Sequence, residues 1–523
     1  MMKEDDDRGA HSLISQVENV DYVEVVSNED EEGSQKGKVV RRLTFVDGVA
    51  IVVGIIIGSG IFSSPGLALE RSGSPGMDLI AWALSGVLVT LAAQCYLELG
   101  GMMPSAGGDF DYLGRAYGDR VAFSFAWFNF FVSKTGSQAI IATIFGRYFE
   151  SVVMGTTSEL KDGSSNESVT SKLLAVGLVV FITLLNCAGI KESAVVSIVL
   201  TSTKVVLVLM VFIFAVAYAS SGSSRSDTFN HNLGIKHAFD GSKGIFQFGT
   251  SMVACLWCYD GFADGNFLLE EMINPVRDLP RIIRVGLFIV TTCYILTNIG
   301  YLTVLETDTI TDTKAIAVQY GETVSDMFTS GHGVLPTIFA LGVSLSTIGS
   351  INGSIMTGGR AFFAVARAGK FPSPLAKLNS QGSPYYALIA QGCWAIVLLL
   401  IPGSNFSTLL DYFGPTSWLF YGFSASAIIA LRYKEPNAVR PFKVPLYPLP
   451  PILVMAIALV IFISSLIESP FFTLLAVGFV LLSVPVYYLL ETYGYIRTHH
   501  ASGDHGKQVV TSAIHQPITM EDT

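Results

Sequence analysis

Gly58-Ser59-Gly60-Ile61-Phe62 lies in the middle of an apolar run that extends from about Phe45 to Leu69. Because roughly 20 apolar residues cross the hydrocarbon core of a bilayer, the run predicts a membrane span. Its two central glycines weaken a helix, since glycine loses the most backbone freedom on folding. Unpaired backbone groups at membrane depth are tolerated where they line a cavity inside the protein. The stretch therefore predicts a binding site within a broken span.

A second interrupted span contains Tyr259-Asp260-Gly261-Phe262-Ala263-Asp264-Gly265. Two broken spans at matching positions in two halves of a chain are the best sequence indication of a transporter's binding site. The alternative is that the glycines only allow close helix packing, as in Gly54-x-x-x-Gly58. Packing alone explains two matching breaks less well, so the pattern favours a transporter.

The composition is typical of a polytopic membrane protein. Of the 523 residues, 50% are hydrophobic and only 14% are charged, whereas soluble domains contain about 25% charged residues. The net charge of -10 gives no basic face for nucleic acid. The first 40 residues contain no short apolar segment of a secretory signal. All cysteines fall inside apolar runs, so no disulfide framework is expected.

Apolar runs of spanning length predict an all-α membrane protein with twelve transmembrane helices. The alternating strands of a membrane barrel are absent from the sequence. Lys36, Lys38, Arg41 and Arg42 flank the first span and place the N-terminus in the cytosol. Basic residues in alternate loops agree with this orientation, so both termini are expected in the cytosol. The multi-pass chain is expected in the plasma membrane. The predicted spans are roughly 45–69, 79–102, 121–149, 172–189, 194–219, 244–272, 282–305, 334–368, 385–401, 409–432, 450–467 and 470–492.

Three regions are predicted along the chain. Residues 1–42 form a disordered cytosolic tail, because they are polar and acidic. Residues 43–492 form the twelve-span transporter domain, and residues 493–523 form a second cytosolic tail. Glycosylation sequons at Asn166 and Asn405 are both predicted to lie outside the membrane, which makes the chain a candidate glycoprotein.

Enzyme signatures are missing from the sequence. All eight histidines lie in tails or loops, so no span contains an imidazole for general-base or metal chemistry. No H-E-x-x-H, Walker A or G-x-S-x-G motif occurs. Gly58-Ser59-Gly60 begins like a dinucleotide fingerprint, but Ser63 replaces its last glycine. Cys255 and Cys258 have C-x-x-C spacing without a second ligand pair. The chain is therefore not predicted to be an enzyme, and no cofactor or metal is expected.

The two breaks predict complementary electrostatics. The outer half of the first span begins near Gly60 and Ile61, so free N–H groups and the positive end of a helix dipole suit a carboxylate. The first half of the sixth span ends near Tyr259 and Asp260, so free carbonyls and a negative dipole end suit an ammonium group. Together the two ends predict a site for a free α-amino acid.

Asp260 is the most informative single residue. A carboxylate in mid-membrane costs about 2.5–3.5 kcal/mol on insertion scales, so such residues face a cavity and usually have a partner. Asp260 would attract the distal ammonium or guanidinium group of lysine or arginine. The alternatives are a structural pair with an internal lysine and a carboxylate that stays protonated. Asp264, one helical turn farther along, is expected to cap a helix or to form an ion pair.

Two further residues near the breaks have a predicted role. Trp257 precedes the second break and would cover the bound side chain or hold a cation on its ring; packing is the alternative. Lys204 lies too deep in span 5 to snorkel easily. A fixed cation near the first break would take the place of a coupled Na⁺, which predicts sodium-independent transport, and a structural pair is the alternative. Lys134 is similarly deep, and the sequence assigns it no role.

Several ordered motifs between about residues 45 and 490 resemble the L-type amino acid transporters of the amino acid–polyamine–organocation superfamily. These motifs are Gly58-Ser59-Gly60-Ile61-Phe62, Tyr96-x-Glu98-Leu99 with Pro104-x-x-Gly107-Gly108, Glu270-Glu271-Met272-x-Asn274-Pro275-x-Arg277-x-Leu279-Pro280, and Gly349-Ser350-x-Asn352-Gly353-Ser354. The resemblance implies a LeuT-like fold with a five-plus-five inverted repeat in spans 1–10, in which spans 1 and 6 are discontinuous. It also implies alternating access and sodium independence.

The resemblance also implies roles for particular residues. The substrate carboxylate would be held by Ile57, Ser59, Gly60 and Ile61. Trp257 occupies the family's aromatic gate, and Lys204 matches its span-5 lysine. The run Trp257-x-Tyr259-Asp260-Gly261 resembles the light chain that carries cystine and dibasic amino acids. Ser417 and Trp418 fall at span-10 positions that help to line the pocket. Because Trp257, Tyr259, Asp260, Gly261 and Ser417 match the family's motif positions, they complete the expected substrate site.

Two departures from the family pattern affect partners and substrate. Mammalian members carry a cysteine in the loop after span 3 that links them to a heavy chain, and this loop has none, so a covalent heavy chain is not expected. Ala263 and Asp264 replace the usual Asn-containing step after the break. Relatives with aspartate in this span carry polyamines, so that substrate stays open.

The sequence therefore predicts a sodium-independent exchanger or facilitator of cationic and neutral L-amino acids that works in the lipid bilayer. One alternative is a transporter of putrescine or spermidine, although a polyamine has no carboxylate for the cradle at residues 58–61. An alternative of another class is a membrane receptor that senses amino acids without moving them.

Overall fold

The computed structural model describes residues 44–103, 107–154, 167–188, 193–221, 226–234, 236–263, 275–326, 334–493 and 495. Secondary structure within these ranges is helical, and they contain no strand. They belong to one compact unit. The predicted N-terminal tail, the sequon at Asn166, Asp264 and the predicted C-terminal tail beyond residue 495 lie outside the described residues.

The described residues of the first half contain eight helices. They are α1 (Phe45–Ile56), α2 (Ser64–Ser72), α3 (Pro75–Met102), α4 (Asp109–Tyr117), α5 (Asp119–Phe128), α6 (Thr135–Met154), α7 (Val169–Cys187) and α8 (Ser193–Ser220). Of these, α1, α2, α4 and α5 have 12 residues or fewer. A π-helical segment, Asn129–Lys134, joins α5 to α6 without an intervening turn. The predicted third span therefore lies within a single helical run.

The helices of the second half begin with the short α9 (Ser226–Leu233). They continue with α10 (Ile245–Cys258), α11 (Pro275–Val304), α12 (Thr307–Asp312), α13 (Ile316–Ser325), α14 (Leu335–Arg367), α15 (Tyr385–Leu400), α16 (Phe406–Lys434), α17 (Leu449–Glu468) and α18 (Pro470–Thr492). The described part of every predicted span contains one or more of these helices.

Local sequence explains where several of the helices begin and end. Ser74 precedes α3, and its Oγ accepts the N–H of Met77 while Pro75 occupies the first turn. Asn405 precedes α16 in a reciprocal capping box with Thr408. Helix α2 ends at Gly73, whose φ of 80° lies in the left-handed region that glycine adopts without strain. The sequon residue Asn405 is thus a helix cap, whose side-chain oxygen Oδ1 accepts the N–H of Thr408.

Seven of the described helices are long and apolar enough to cross a membrane. They overlap the predicted spans 2, 4, 5, 7, 8, 11 and 12, and α10 and α15 are shorter apolar helices. The first predicted span is divided between α1 and α2, neither of which is long enough to cross alone. By their length and composition, these helices are those of a multi-pass membrane protein.

The short helices next to the breaks lie in the centre of the helix packing. Helix α10 contacts α2, α3 and α17, while α1 packs against α11 and α8. Around this group, α16 contacts α3, α6 and α17, and α14 contacts α6 and α8. The two interrupted spans are therefore surrounded by protein, which is where irregular backbone at membrane depth can be accommodated.

Candidate functional site

The first break separates α1 from α2 by seven residues. Residues 57–59 are irregular, and a 3₁₀ turn at Gly60–Phe62 leads into α2. The N–H groups of Phe62 and Ser63 donate to Ser59 O and Gly60 O at 3.1 and 2.9 Å. The N–H groups of Ser59, Gly60 and Ile61 have no acceptor among the residues that the structure describes. Unpaired backbone donors at a buried helix start can bind an anion such as a carboxylate.

The predicted carboxylate cradle is almost fully shielded from solvent. Ile57, Ser59 and Ile61 are only 1%, 2% and 0% exposed, and Gly60 is buried as well. A Cβ at position 60 would lie 2.7 Å from the Sγ and 3.1 Å from the Cα of Cys258. Only glycine therefore fits at position 60, and the first break lies directly against the end of α10.

The second break begins where α10 ends at Cys258. Tyr259 N–H donates to Leu256 O, and Asp260 N–H donates to Trp257 O, which closes the last turn of the helix. Gly261 then adopts a φ of 97°, and a Cβ there would lie 2.9 Å from Ile55 Cγ2. Both the backbone conformation and the contact with α1 require glycine at this position.

A single tyrosine hydroxyl joins the two breaks. The hydroxyl of Tyr294 in α11 lies 3.0 Å from the carbonyl oxygen of Ile56 and 2.8 Å from that of Cys258. These carbonyls belong to the last residues of α1 and α10, which have no helical N–H partner farther along the chain. Tyr294 is completely buried. The two helix ends are therefore fastened at one point inside the protein.

Tyr259 has a different environment from the one that a substrate-lining side chain needs. Its ring is fully buried between Trp82 and Tyr294, and its hydroxyl donates to Trp82 O at 3.1 Å. The backbone of Tyr259 lies at the break, whereas its side chain packs against α3. Only the backbone of Tyr259 therefore lies at the break.

Asp260 is half-buried and bonds to span 10. The hydroxyl of Tyr421 in α16 donates to Asp260 Oδ1 at 2.8 Å. Tyr421 belongs to a cluster of four aromatic rings with Tyr96, Phe262 and Trp418. The hydrogen bond occupies Oδ1 and holds the carboxylate at the edge of this aromatic cluster.

Trp257 and Ser417 are both buried near the second break. Trp257 is 8% exposed, and its ring meets Phe406 edge-on at a centroid distance of 5.5 Å. Ser417 is buried, and its Oγ donates to Phe413 O within α16. Trp418 is buried too and belongs to the cluster beside Asp260. The predicted span-10 residues thus lie on the helix that also supplies Tyr421.

Lys204 reaches the first break through a serine of α14. The ammonium group of Lys204 donates to Ser350 Oγ at 2.9 Å, and the side chain is almost fully buried. A Cβ on Gly58 would lie 3.7 Å from the same Oγ. Ser350 therefore lies between the charge of Lys204 and the irregular backbone at Gly58.

A buried ion pair lies beyond the breaks on the side of the protein where α2 ends, called here the α2 side. The guanidinium of Arg71 donates to Asp411 Oδ2 at 2.9 Å, to Ser407 Oγ at 3.1 Å and to Thr250 O at 3.3 Å. It thereby joins α2, α10 and α16. Ser469 Oγ also donates to Asp411 Oδ2.

The residues around the breaks differ in exposure between the two sides. Trp257, Phe406 and Asp411 on the α2 side are buried, whereas Gly58 and Asp260 are half-buried. A surface crevice of about 320 Å³ lies past the end of α2, away from both breaks, and is lined by Glu70, Asn232, His237, Asp308 and neighbouring residues. Within the described ranges, no cluster of three or more His, Cys, Asp or Glu residues is arranged to hold a metal ion.

Sequence reasoning located the two breaks but missed the residues that connect them. Nothing in the sequence around Tyr294 or Tyr421 distinguishes either from an ordinary tyrosine in an apolar span. Arg71 and Asp411 carry a weak signal, because each is a charge near the end of a predicted span. Their positions in the sequence do not predict that Arg71 and Asp411 form an ion pair.

Comparison with known proteins found a family model and several relatives that match most of this chain. The family model for amino acid permeases matches residues 43–490. The b(0,+)-type amino acid transporter 1 of Mus musculus is 33% identical over 455 residues, which cover 87% of this chain and 88% of the relative. The human protein of the same name is 32% identical over 456 residues, or 87% and 88% of the two chains.

A second group of relatives has a different name. The large neutral amino acids transporter small subunit 2 of Mus musculus is 32% identical over 455 residues, which cover 86% of this chain and 81% of the relative. The match to the family model begins two residues before α1, ends two residues before the end of α18 and includes both breaks. The chain belongs to the amino acid permease family.

Proposed function

We propose that this chain is a sodium-independent transporter of cationic and neutral L-amino acids that works by alternating access. The observation that carries the proposal is the fastening of α1 and α10 by Tyr294. It puts the free N–H groups of Ser59, Gly60 and Ile61 beside the end of α10, where Asp260 follows. A free amino acid has complementary groups for both ends.

The first break supplies the carboxylate end of the site. Three N–H groups without an acceptor in the described part of the chain face a buried region. Leaving such donors unpaired costs about 1–3 kcal/mol each, so a bound carboxylate would be stabilised by their bonds. The carbonyl ends of α1 and α10 favour an α-ammonium group in the same place.

Asp260 supplies the selectivity for a cationic side chain. Its Oδ1 is bonded to Tyr421, and the carboxylate is half-buried beside aromatic rings. A guanidinium or ammonium group of the substrate would add a charge-assisted hydrogen bond there. A neutral side chain would lie against Trp418 and Phe262 instead. The names of the relatives support both classes, since one group is b(0,+)-type and the other is named for large neutral amino acids.

Sodium independence is supported by Lys204. Its ammonium group is bonded to Ser350 next to Gly58, so a positive charge is already fixed near the first break. A sodium ion at the same place would be repelled by that charge in a medium of low dielectric constant. The role of Lys204 would therefore be that of a permanent substitute for the coupling ion.

The proposed architecture has twelve spans in a LeuT-like five-plus-five inverted repeat, with both termini in the cytosol of a plasma-membrane protein. Within it, the α2 side faces outward and is closed by Arg71, Asp411, Trp257 and Phe406. The half-buried Gly58 and Asp260 support access from the cytosolic side. No covalent heavy chain is proposed, because the loop after span 3 has no cysteine.

Transport and charge selectivity can be tested together in proteoliposomes that contain the purified chain. Uptake of labelled arginine and leucine is measured for the wild type, Asp260→Asn and the exposed control Asp326→Asn. Loss of a charge-assisted hydrogen bond predicts that Asp260→Asn lowers kcat/KM for arginine about tenfold or more. Leucine uptake is expected to fall much less.

Three outcomes separate the alternatives. Unchanged arginine uptake in Asp260→Asn would contradict the selectivity argument. Binding of both amino acids without counterflow into the vesicles would support a receptor. Uptake of putrescine that exceeds uptake of arginine would support a polyamine transporter. A polyamine has no carboxylate for the N–H groups at the first break to bind.

A further inference from the structure

Three arginines lie in a row on one exposed face of α11, called here the arginine face. Arg277, Arg281 and Arg284 are all exposed, and spacings of four and three residues put them one above another on a helix. The same face continues with Phe288, whose ring is 73% exposed. One face of α11 therefore changes from basic to apolar within about one helical turn.

The apolar continuation of the arginine face is a surface for acyl chains. Val285 and Ile289, which flank the phenylalanine ring, are exposed as well. Helix α3 lies against α11 where Gly86 meets Thr291, and the neighbouring Val87 is 57% exposed. Exposed apolar side chains on the spans of a membrane protein contact the hydrocarbon core. The arginine face is thus continuous with a lipid-facing surface that α3 and α11 share.

The arginines lie at the depth of lipid headgroups. Tyr294 is level with both breaks, and in the proposed architecture such breaks lie near the bilayer midplane. Arg284 precedes Tyr294 by ten residues, which is about 15 Å of helix. Half of the hydrocarbon core is also about 15 Å thick. Arg284 is therefore at the edge of the core, and Arg281 and Arg277 are farther out, in the headgroup layer.

The guanidinium groups keep most of their N–H donors for an external acceptor. Arg284 donates from Nε to Pro280 O at 2.9 Å, and its two terminal nitrogens have no acceptor in the described part of the chain. Arg281 has no hydrogen bond or ion pair there either. Arg277 is 69% exposed at its side chain and lies 3.9 Å from Asp278, which is longer than a hydrogen bond. A guanidinium with paired free donors matches a phosphate group.

The arginine face lies at the end of α11 that is opposite the α2 side. At the other end, the carbonyls of Leu302 and Leu305 accept hydrogen bonds from Asn232, which lines the crevice past α2. In the proposed orientation the α2 side faces outward, so the arginines meet the cytosolic leaflet. That leaflet contains the anionic phospholipids of a plasma membrane and attracts basic side chains.

We propose that the arginine face is a binding site for one phospholipid with a net negative headgroup in the cytosolic leaflet. The phosphate accepts N–H groups of Arg281 and Arg284, and the acyl chains lie along Phe288 and Val87. Because α11 also carries Tyr294, the lipid stabilises the helix that fastens both breaks. Only the choice of leaflet rests on the proposed orientation, and lipid binding can be measured without transport.

Short-chain lipids test the site on the purified full-length chain in detergent. Dioctanoyl phosphatidylglycerol, dioctanoyl phosphatidylcholine and soluble glycerol phosphate are titrated separately. Native mass spectrometry gives the Kd, and thermal unfolding gives the Tm. Phosphatidylglycerol should bind with a Kd about tenfold or more below that of phosphatidylcholine and should raise the Tm, because it binds the folded chain. Glycerol phosphate should change neither quantity, since it has no acyl chain.

Paired variants locate the headgroup. Arg281→Gln combined with Arg284→Gln should raise the Kd for phosphatidylglycerol about tenfold or more and leave the Kd for phosphatidylcholine unchanged. Arg115→Gln combined with Lys377→Gln is the matched control, because it removes the same charge from exposed positions elsewhere. If the first pair does not fold, Arg281→Gln alone should still raise the Kd about fivefold.

Each remaining outcome contradicts the proposal. Equal affinity of the wild type for the two lipids would refute a site for an anionic headgroup. Glycerol phosphate that competes as well as phosphatidylglycerol would show a site for a soluble anion instead. A Kd that stays unchanged in the arginine variants, or that rises equally in the control pair, would place the lipid elsewhere.

The leaflet is tested separately in cells. Arg277→Cys should react with a membrane-impermeant thiol reagent only after permeabilisation, with the wild-type chain as the background. Reaction in intact cells would overturn the assignment to the cytosolic leaflet. A chain that binds phosphatidylglycerol through these arginines but moves no amino acid would overturn the proposed function and leave the lipid site standing.

Discussion

The hydroxyl of Tyr421 donates a hydrogen bond to the carboxylate of Asp260 at 2.8 Å, across 161 residues of sequence. The bond joins the first residues after α10 to the middle of α16. It fixes the orientation of the only carboxylate in the second break that the described residues include. Substrate selectivity is therefore expected to depend on a tyrosine that lies outside both breaks.

Tyr421→Phe should reduce selectivity for cationic substrates. A hydrogen bond to a charged group contributes about 1.5–3 kcal/mol, so kcat/KM for arginine should fall about tenfold or more, while that for leucine changes little. The measurement is the ratio of arginine to leucine uptake in proteoliposomes. Tyr412→Phe is the matched control, because the buried hydroxyl of Tyr412 on the same helix has no partner among the described residues. Equal ratios in the two variants would refute the role of Tyr421.

Tyr294→Phe should impair transport of every substrate alike. Without its hydroxyl, the carbonyls of Ile56 and Cys258 lose a donor at the point where the two interrupted spans meet. Losing the bonds at such a buried site costs about 1–3 kcal/mol, which should lower the Tm in detergent and slow arginine and leucine uptake by similar factors. Thermal unfolding and uptake are measured on the same preparations.

Tyr301→Phe controls for the loss of a hydroxyl from α11. Tyr301 is 1% exposed, and its hydroxyl has no partner within the described part of the chain. This variant should therefore be at least as stable as the wild type. A Tm for Tyr294→Phe that matches the Tm of Tyr301→Phe would contradict the fastening of the two breaks.

Arg71→Gln should open the α2 side of the site. The guanidinium holds α2, α10 and α16 together, and its pair with Asp411 is 13% and 8% exposed at the two side chains. Breaking a buried ion pair costs about 3–5 kcal/mol, enough to shift a balance between two conformations. Ser64→Cys, buried at the start of α2, reports the change through its reaction with a membrane-impermeant thiol reagent.

The labelling rate of Ser64→Cys should rise about tenfold or more when Arg71→Gln is added. The wild-type chain, which keeps its native cysteines, measures the background. Arg115→Gln is a second control, because Arg115 pairs with Glu435 at an exposed position. Labelling that stays unchanged in Arg71→Gln would show that the pair does not close this side.

The interrupted spans were predictable because glycine and charge at membrane depth are rare and local signals. Gly60 and Gly261 mark the breaks, and the structure explains each by a contact that a Cβ would prevent. Asp260 was equally visible as a carboxylate in an apolar run. The helix boundaries follow from runs of apolar residues and from caps such as Ser74, which are also local.

The connections between these elements were not predictable from the sequence. Tyr294 and Tyr421 each bond to residues that are far away along the chain, and a tyrosine in an apolar span is usually a packing residue. Tyr259 was expected in the substrate site from its position at the break, which does not specify where its side chain lies. Its ring instead packs against Trp82, because a residue at a helix end can turn toward either side.

The free N–H groups at the first break are the centre of the proposed mechanism, and competition with agmatine tests them most directly. Agmatine is arginine without its carboxylate, so it keeps the guanidinium group that Asp260 would bind. In proteoliposomes, unlabelled arginine should block uptake of labelled arginine, whereas agmatine should leave most uptake intact even in about hundredfold excess. Agmatine that competes as well as arginine would show that the first break does not hold the carboxylate of an amino acid.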